Sequence, residues 1–129
     1  MKPWLGAIRA PKNPPPLSAQ APAAELRLHW VHGYTSGSAG ANNTRISNNL
    51  FYNVDGNVTF PAAAMGVLLS RGGDAGNPYS QKYFQGHDDD VLSLAISADR
   101  RFIATGQTAS KATKGKGSII IWDAVQGTS

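Results

Sequence analysis

The sequence predicts an all-β protein of antiparallel strand meanders, and three observations carry that prediction. Gly and Pro supply 14 and 8 of the 129 residues, which favours turns over long helices, while a hydrophobic share of 41% is too high for a wholly disordered chain. From Leu26 onward, short apolar runs alternate with Gly, Asn, Asp and Ser, the pattern of many short strands. These runs fall into two similar groups, a weak internal repeat of the kind from which β-propeller blades are built.

Residues 1–24 hold six of the eight prolines: Pro3, Pro11, Pro14, Pro15, Pro16 and Pro22. Each ring fixes φ and removes a donor, so the segment reads as an extended, polyproline-like linker rather than a helix or interior strand. Pro11-Lys-Asn-Pro14 has the PxxP form that some peptide-binding domains read, although any proline-rich linker produces such matches.

The first group of strands opens with Asn49 to Asn53 (NLFYN). Asp55-Gly56, which tolerates positive φ, then suits a tight hairpin into Asn57 to Ala62 (NVTFPA). Met65 to Ser70 (MGVLLS) follows and, after a Gly-rich loop, Gln81 to Gln85 (QKYFQ). The second group begins with Val91 to Ser97 (VLSLAIS), whose Val91, Leu92, Leu94 and Ile96 mark a largely buried strand. A turn at Ala98-Asp99-Arg100 leads to Arg101 to Gly106 (RFIATG), and a Lys-, Gly- and Ser-rich loop leads to Ser118 to Trp122 (SIIIW). A chain with one blade and three strands of the next would leave an apolar sheet face and an edge strand uncovered. That predicts a fragment, a partner-completed module or a truncated product.

Composition narrows the function classes. Twelve Lys plus Arg against eight Asp plus Glu give a net charge of +4. With a pI near 9.6, the chain favours an acidic partner surface but falls short of a dedicated nucleic-acid binder. The absence of cysteine removes disulfides, thiolate catalysis and thiolate metal sites. The longest apolar stretch, Pro61 to Leu69, is too short to span a bilayer, and the first residues lack the apolar run of a signal peptide. A cytoplasmic address with no membrane partner is therefore expected, and the sequons at Asn42 and Asn57 read as chance matches.

Two sets of residues resemble a known family. Gly86-His87, VLSLAIS, Asp99, FIATGQ and Ile119-Ile120-Ile121-Trp122-Asp123 resemble a WD repeat, with its opening Gly-His and closing Trp-Asp pairs. Upstream, LRLHWVHGY at Leu26 to Tyr34, then Arg45, NNLFYN and GVLLS, is similar to the HELP motif of the echinoderm microtubule-associated protein-like family. The two occur in that family's order and spacing, over about Leu26 to Asp123. The resemblance implies a partial WD-type propeller, with 25–85 as HELP motif and first blade and 86–129 as the first, incomplete WD repeat. No heptad pattern appears in residues 1–24, so the trimerising coiled coil of many members is not expected there.

The same resemblance implies a structural network of His87, Thr105 and Trp122 buried within a blade. The Asp that usually completes it is not evident, because Thr108 to Gly117 replaces a short turn, and Asp99 reads instead as a turn cap. Rival chemistries fail on the residues. His29 and His32 have no third ligand nearby, and Asp88-Asp89-Asp90 lacks the glycine and distal Glu of a calcium loop. Ser93 has no nucleophile-elbow context, and Glu25 is the single Glu. Lys111, Lys114 and Lys116 lack phosphate-loop spacing, which excludes a nucleotide cofactor on this pattern. They form either a cationic contact for an acidic partner or a solubilising loop.

No cofactor, metal or reaction is therefore expected. The resemblance implies a non-enzymatic protein that binds tubulin or microtubules through a propeller surface, located on the cytoplasmic cytoskeleton, ciliary or flagellar axonemes included. The alternative is a general WD-repeat scaffold for protein complexes, without tubulin affinity.

Overall fold

The computed structural model describes residues 6, 9–16, 18–21, 23–39, 44–109 and 114–128. Every element is a β-strand: β1 (Gly37–Ala39), β2 (Thr44–Ile46), β3 (Phe51–Tyr52), β4 (Val58–Ala62), β5 (Met65–Asp74), β6 (Asn77–Phe84), β7 (Val91–Ile96), β8 (Phe102–Gln107) and β9 (Ile119–Asp123). Among the described residues they form three antiparallel sheets, ordered β1-β2, β3-β4-β5-β6 and β7-β8-β9. The all-β expectation holds, with an additional small hairpin, β1-β2. Its Gly-Ser-Ala first strand offers none of the β-branched or aromatic residues that mark strands in a sequence.

The Gly-rich segment after Ser70 is strand rather than loop. β5 and β6 continue pairing to Asp74 and Asn77, with an irregularity between Arg71 and Asp74. Gly72 sits there at φ +102°, and a Cβ on Gly73 would strike the Asn77 and Tyr79 carbonyls. The glycines thus accommodate a bulge instead of ending the strand. Asp74 Oδ1 closes the hairpin by accepting from the Gly76 and Asn77 amides at 3.0 and 2.9 Å.

The four-stranded sheet packs on both faces, the first of them in part. Directly opposed residues share a face, so the pairs Val58↔Leu69, Phe60↔Val67 and Val67↔Tyr83 put Val58, Phe60, Val67, Leu69 and Tyr83 on one side. Val31 packs on that cluster and Tyr34 meets Phe60 edge-on at 6.4 Å, because residues 29–35 cross the sheet as an extended strap. The strap is held by paired bonds between Gln81 and the Val31 backbone (2.8 and 3.0 Å) and by the Thr35 amide on the Pro61 carbonyl at 2.8 Å.

The opposite face meets the three-stranded sheet. Leu68, Phe84, Leu94, Ile103, Trp122 and Ala124 form one core, with Phe51, Ile96 and Ile120 packed against it. Close approach at its centre requires Gly66, where an added Cβ would lie 2.5 Å from Trp122 Cζ2. Backbone bonds also cross between the sheets, from the Val91 amide to the Ala63 carbonyl (2.9 Å) and from Val54 to Arg100 (3.0 Å).

Thr59 and Arg100 illustrate two kinds of local cost. Thr59 is wholly buried on the face toward the second sheet, and its hydroxyl finds no hydrogen-bond partner among the described residues. Thr59→Val keeps the shape and removes the orphaned group, so it is expected to raise unfolding free energy by about 1 kcal/mol in denaturant titration. Arg100 adopts φ +60° at the β7-β8 turn, a conformation costing a non-glycine residue roughly 1–2 kcal/mol. Arg100→Gly should therefore stabilise by about 0.5–1 kcal/mol, part of the relief being offset by unfolded-chain entropy.

Candidate functional site

The side chains of His87, Thr105 and Trp122 converge at the seam between the two larger sheets. Thr105 and Trp122 lie on β8 and β9 and share the inward face of the three-stranded sheet with Ile103 and Ile120. His87 follows the end of β6, where Phe84 stacks on the Trp122 indole at 5.0 Å and 7° and meets the His87 ring edge-on at 5.9 Å. Trp122 is 1% exposed, Thr105 0% and His87 8%, so their polar atoms must be satisfied internally.

The hydrogen bonds have one direction. Trp122 Nε1, which can only donate, gives its proton to Thr105 Oγ1 at 3.1 Å. Thr105 Oγ1 lies 2.6 Å from His87 Nε2 and 3.5 Å from the Ile120 carbonyl, so its proton goes to the imidazole. Nδ1–H of His87 then donates to Gln107 Oε1 at 2.7 Å. The amide of Gln107 passes the chain to the Asp88 carboxylate and the Thr108 carbonyl. Gln107 thus occupies the end of the relay where the sequence shows no Asp. Its signal was available: Ile103, Thr105 and Gln107 alternate on β8 and all three are buried.

Asn53 is a second junction that sequence reasoning did not single out. It is 2% exposed, and its Oδ1 accepts from the Asp55 and Asn57 amides at 3.1 and 2.8 Å, which shapes the β3-β4 turn containing Gly56 at φ +75°. Its Nδ2 crosses to the second sheet and donates to the Ala124 carbonyl at 2.6 Å.

Two carboxylates brace the turns of the three-stranded sheet. Asp99 accepts from Ser97 Oγ at 2.5 Å and from the Arg101 amide at 3.1 Å, and these bonds, the hydroxyl's first, hold its carboxyl below the ordinary range. Asp123 is likewise lowered, chiefly by the Gln126 and Val125 amides at 3.0 and 2.8 Å, with Arg101 at 3.4 Å adding a smaller attraction.

Lys114 and Lys116 stand exposed in the β8-β9 connection, with Lys114 at φ +53° and Gly115 at +78°, and neither side chain takes part in the relay bonds described above. Lys111 lies outside the described residues. His29 and His32 belong to the strap, where the His29 carbonyl accepts from Tyr83 and the His32 ring lies 6.4 Å from Trp30. No group of three or more His, Cys, Asp or Glu among the described residues could hold a metal ion, and no helix there is long and apolar enough to cross a membrane.

An all-β chain with an extended strap across one sheet and a buried polar relay at the seam defines the class. The HELP motif family model matches residues 21–67, which include the strap, β4 and the first three residues of β5. Human echinoderm microtubule-associated protein-like 2 is 33% identical over 110 residues, covering 83% of this chain and 15% of that protein. Mouse echinoderm microtubule-associated protein-like 1 is 34% identical over 110 residues, covering 83% and 12%. The 77 kDa echinoderm microtubule-associated protein of Lytechinus variegatus is 32% identical over 106 residues, covering 81% and 14%. The chain belongs to the echinoderm microtubule-associated protein-like family. It spans only 12–15% of the length of these relatives.

Proposed function

We propose that the chain serves a non-catalytic role as part of a β-propeller that binds tubulin or microtubules on the cytoplasmic cytoskeleton, axonemal microtubules included. The observation that carries this reading is the match over 83% of the chain to a protein named as microtubule-associated-like. In this reading β3 to β6 are the first blade and β7 to β9 are three strands of the next. His87, Thr105 and Trp122 fix the blade register, since each buried polar group left unpaired would cost about 1–3 kcal/mol. Their work is to hold loops rigidly rather than to touch a partner.

Contact with an acidic lattice falls to the exposed β8-β9 connection, with Lys114, Lys116 and, by sequence, Lys111. Exposed ion pairs contribute up to about 1 kcal/mol each and are weakened by salt. The variant Lys114→Glu, Lys116→Glu is expected to lower microtubule affinity about five- to tenfold in co-sedimentation. Unaltered pelleting of this variant would remove the loop from the interface.

A general scaffold without tubulin affinity is the second reading, and one observation favours it. The outer face of the three-stranded sheet carries Phe102, Ile119 and Ile121 at 45%, 76% and 64% exposure, an apolar surface suited to protein contact. A folded chain that fails to pellet with microtubules at low salt would select this reading.

A further inference from the structure

β9 is an edge of the three-stranded sheet: β8 pairs with one side of it, and among the described residues no strand pairs with the other. The Ala124 amide donates to the Arg101 carbonyl at 2.7 Å and the Gln107 amide to the Ser118 carbonyl at 3.0 Å. Bonded pairs alternate along an antiparallel ladder, so Ile120 and Trp122 turn their backbone groups to β8, while Ile119, Ile121 and Asp123 turn theirs outward. Asp123 bears out this parity, because its outward amide donates to the Thr128 carbonyl at 2.8 Å and its carbonyl accepts from Gly127 at 2.9 Å. The outward groups of Ile119 and Ile121 have no backbone partner among the described residues. Charges, prolines and bulges usually shield such an edge, and Ser118 to Trp122 carries none of them.

We propose that β9 pairs edge to edge with β9 of a second copy, antiparallel about a two-fold axis at Ile119, joining the two three-stranded sheets into one. The turn at Thr128 selects this register. An axis at Ile120 or Ile121 would set Gly117 or Ile119 of the second copy opposite Asp123, where Thr128 already sits. With the axis at Ile119, Asp123 faces Gly115 of the second copy, where the chain turns at Lys114-Gly115, both at positive φ.

The side chains and charges of the edge are self-complementary in that register. Ile119 meets Ile119 of the second copy on the outer face, where 76% of the residue is exposed in the single chain. Ile121, at 64% exposure, faces Gly117 of the second copy, whose missing side chain leaves room for it. Lys114 and Lys116 of each copy flank Asp123 of the other, so opposite charges meet at both ends of the ladder and none meets its like. Pairing also satisfies the outward amides and carbonyls that β8 leaves unused.

Light scattering of the 129-residue chain alone, across a wide concentration range, should show its mass rising from monomer to dimer. Over the same range, hydrogen exchange should slow about tenfold or more at the Ile119 and Ile121 amides and change little at Ile120 and Trp122, which β8 already holds. Ile119→Lys sets two ammonium groups face to face at an exposed position and should leave a monomer, as should Ile119→Glu. An equimolar mixture of these two variants should dimerise again. Ile121→Pro removes an outward amide that β8 does not use and should also weaken the dimer. A monomer at every concentration would overturn the proposal, as would a dimer whose Ile119 and Ile121 amides stay unprotected. A wild-type dimer whose Lys and Glu variants fail to pair with each other would overturn it too. None of these measurements involves microtubules, so their failure is distinct from failure of the microtubule reading.

Discussion

Trp122→Ala lowers unfolding free energy by about 3–5 kcal/mol, the cost of emptying a fully buried aromatic site. The indole is 1% exposed and stacked on Phe84, and it fills the space that Gly66 leaves on the facing sheet. Alanine leaves a cavity at the seam of two sheets, and neither side relaxes freely into it because both are pinned by backbone bonds at Val91–Ala63 and Val54–Arg100. The substitution also deprives Thr105 Oγ1 of its donor. Trp122→Phe separates the two contributions: it keeps most of the stacking area and loses the N–H, so a cost nearer about 1–2 kcal/mol is expected. Denaturant titration followed by circular dichroism measures both, and equal costs would mean that the hydrogen bond rather than packing dominates.

Asn53→Ala is expected to cost about 2–4 kcal/mol, a surprising size for a polar residue in a turn. The side chain makes three bonds, two that form the β3-β4 turn and one to Ala124 across the seam. Alanine strands the Ala124 carbonyl in a site where the neighbouring side chains are buried and water is excluded. Asn53→Asp is the informative companion. It retains the oxygen that accepts from both turn amides but replaces the Ala124 donor with a carboxylate oxygen facing a carbonyl, so it should lose nearly as much as alanine. Recovery of near wild-type stability by Asn53→Asp would place the whole effect in the turn and none at the seam.

Much of this architecture was legible because the relevant signals were local. Period-two burial along Phe102–Gln107, the Asp55-Gly56 turn and the apolar run from Val91 each declare a strand or a turn within a few residues. Asp99 as a turn cap was similarly readable from its position between two strands. The extension of β5 and β6 through Gly72 and Gly73 was not, since a bulge and a loop carry the same glycines until the partner strand is known. The strap was hidden for a related reason: Val31 and Thr35 gain their meaning from Gln81 and Pro61, tens of residues away. Gln107 was overlooked because the pattern of the resembled repeat directs attention to an Asp. A neutral amide oxygen can accept the imidazole N–H hydrogen bond, while the amide NH2 donates to Asp88.

The reading of function rests on attraction between the assembled surface and an acidic lattice, so microtubule co-sedimentation of the 129-residue chain across a salt series tests it most directly. The account predicts that the folded chain pellets with microtubules at low ionic strength and is released progressively as salt rises. A chain that shows a cooperative unfolding transition yet remains in the supernatant at the lowest salt would contradict it.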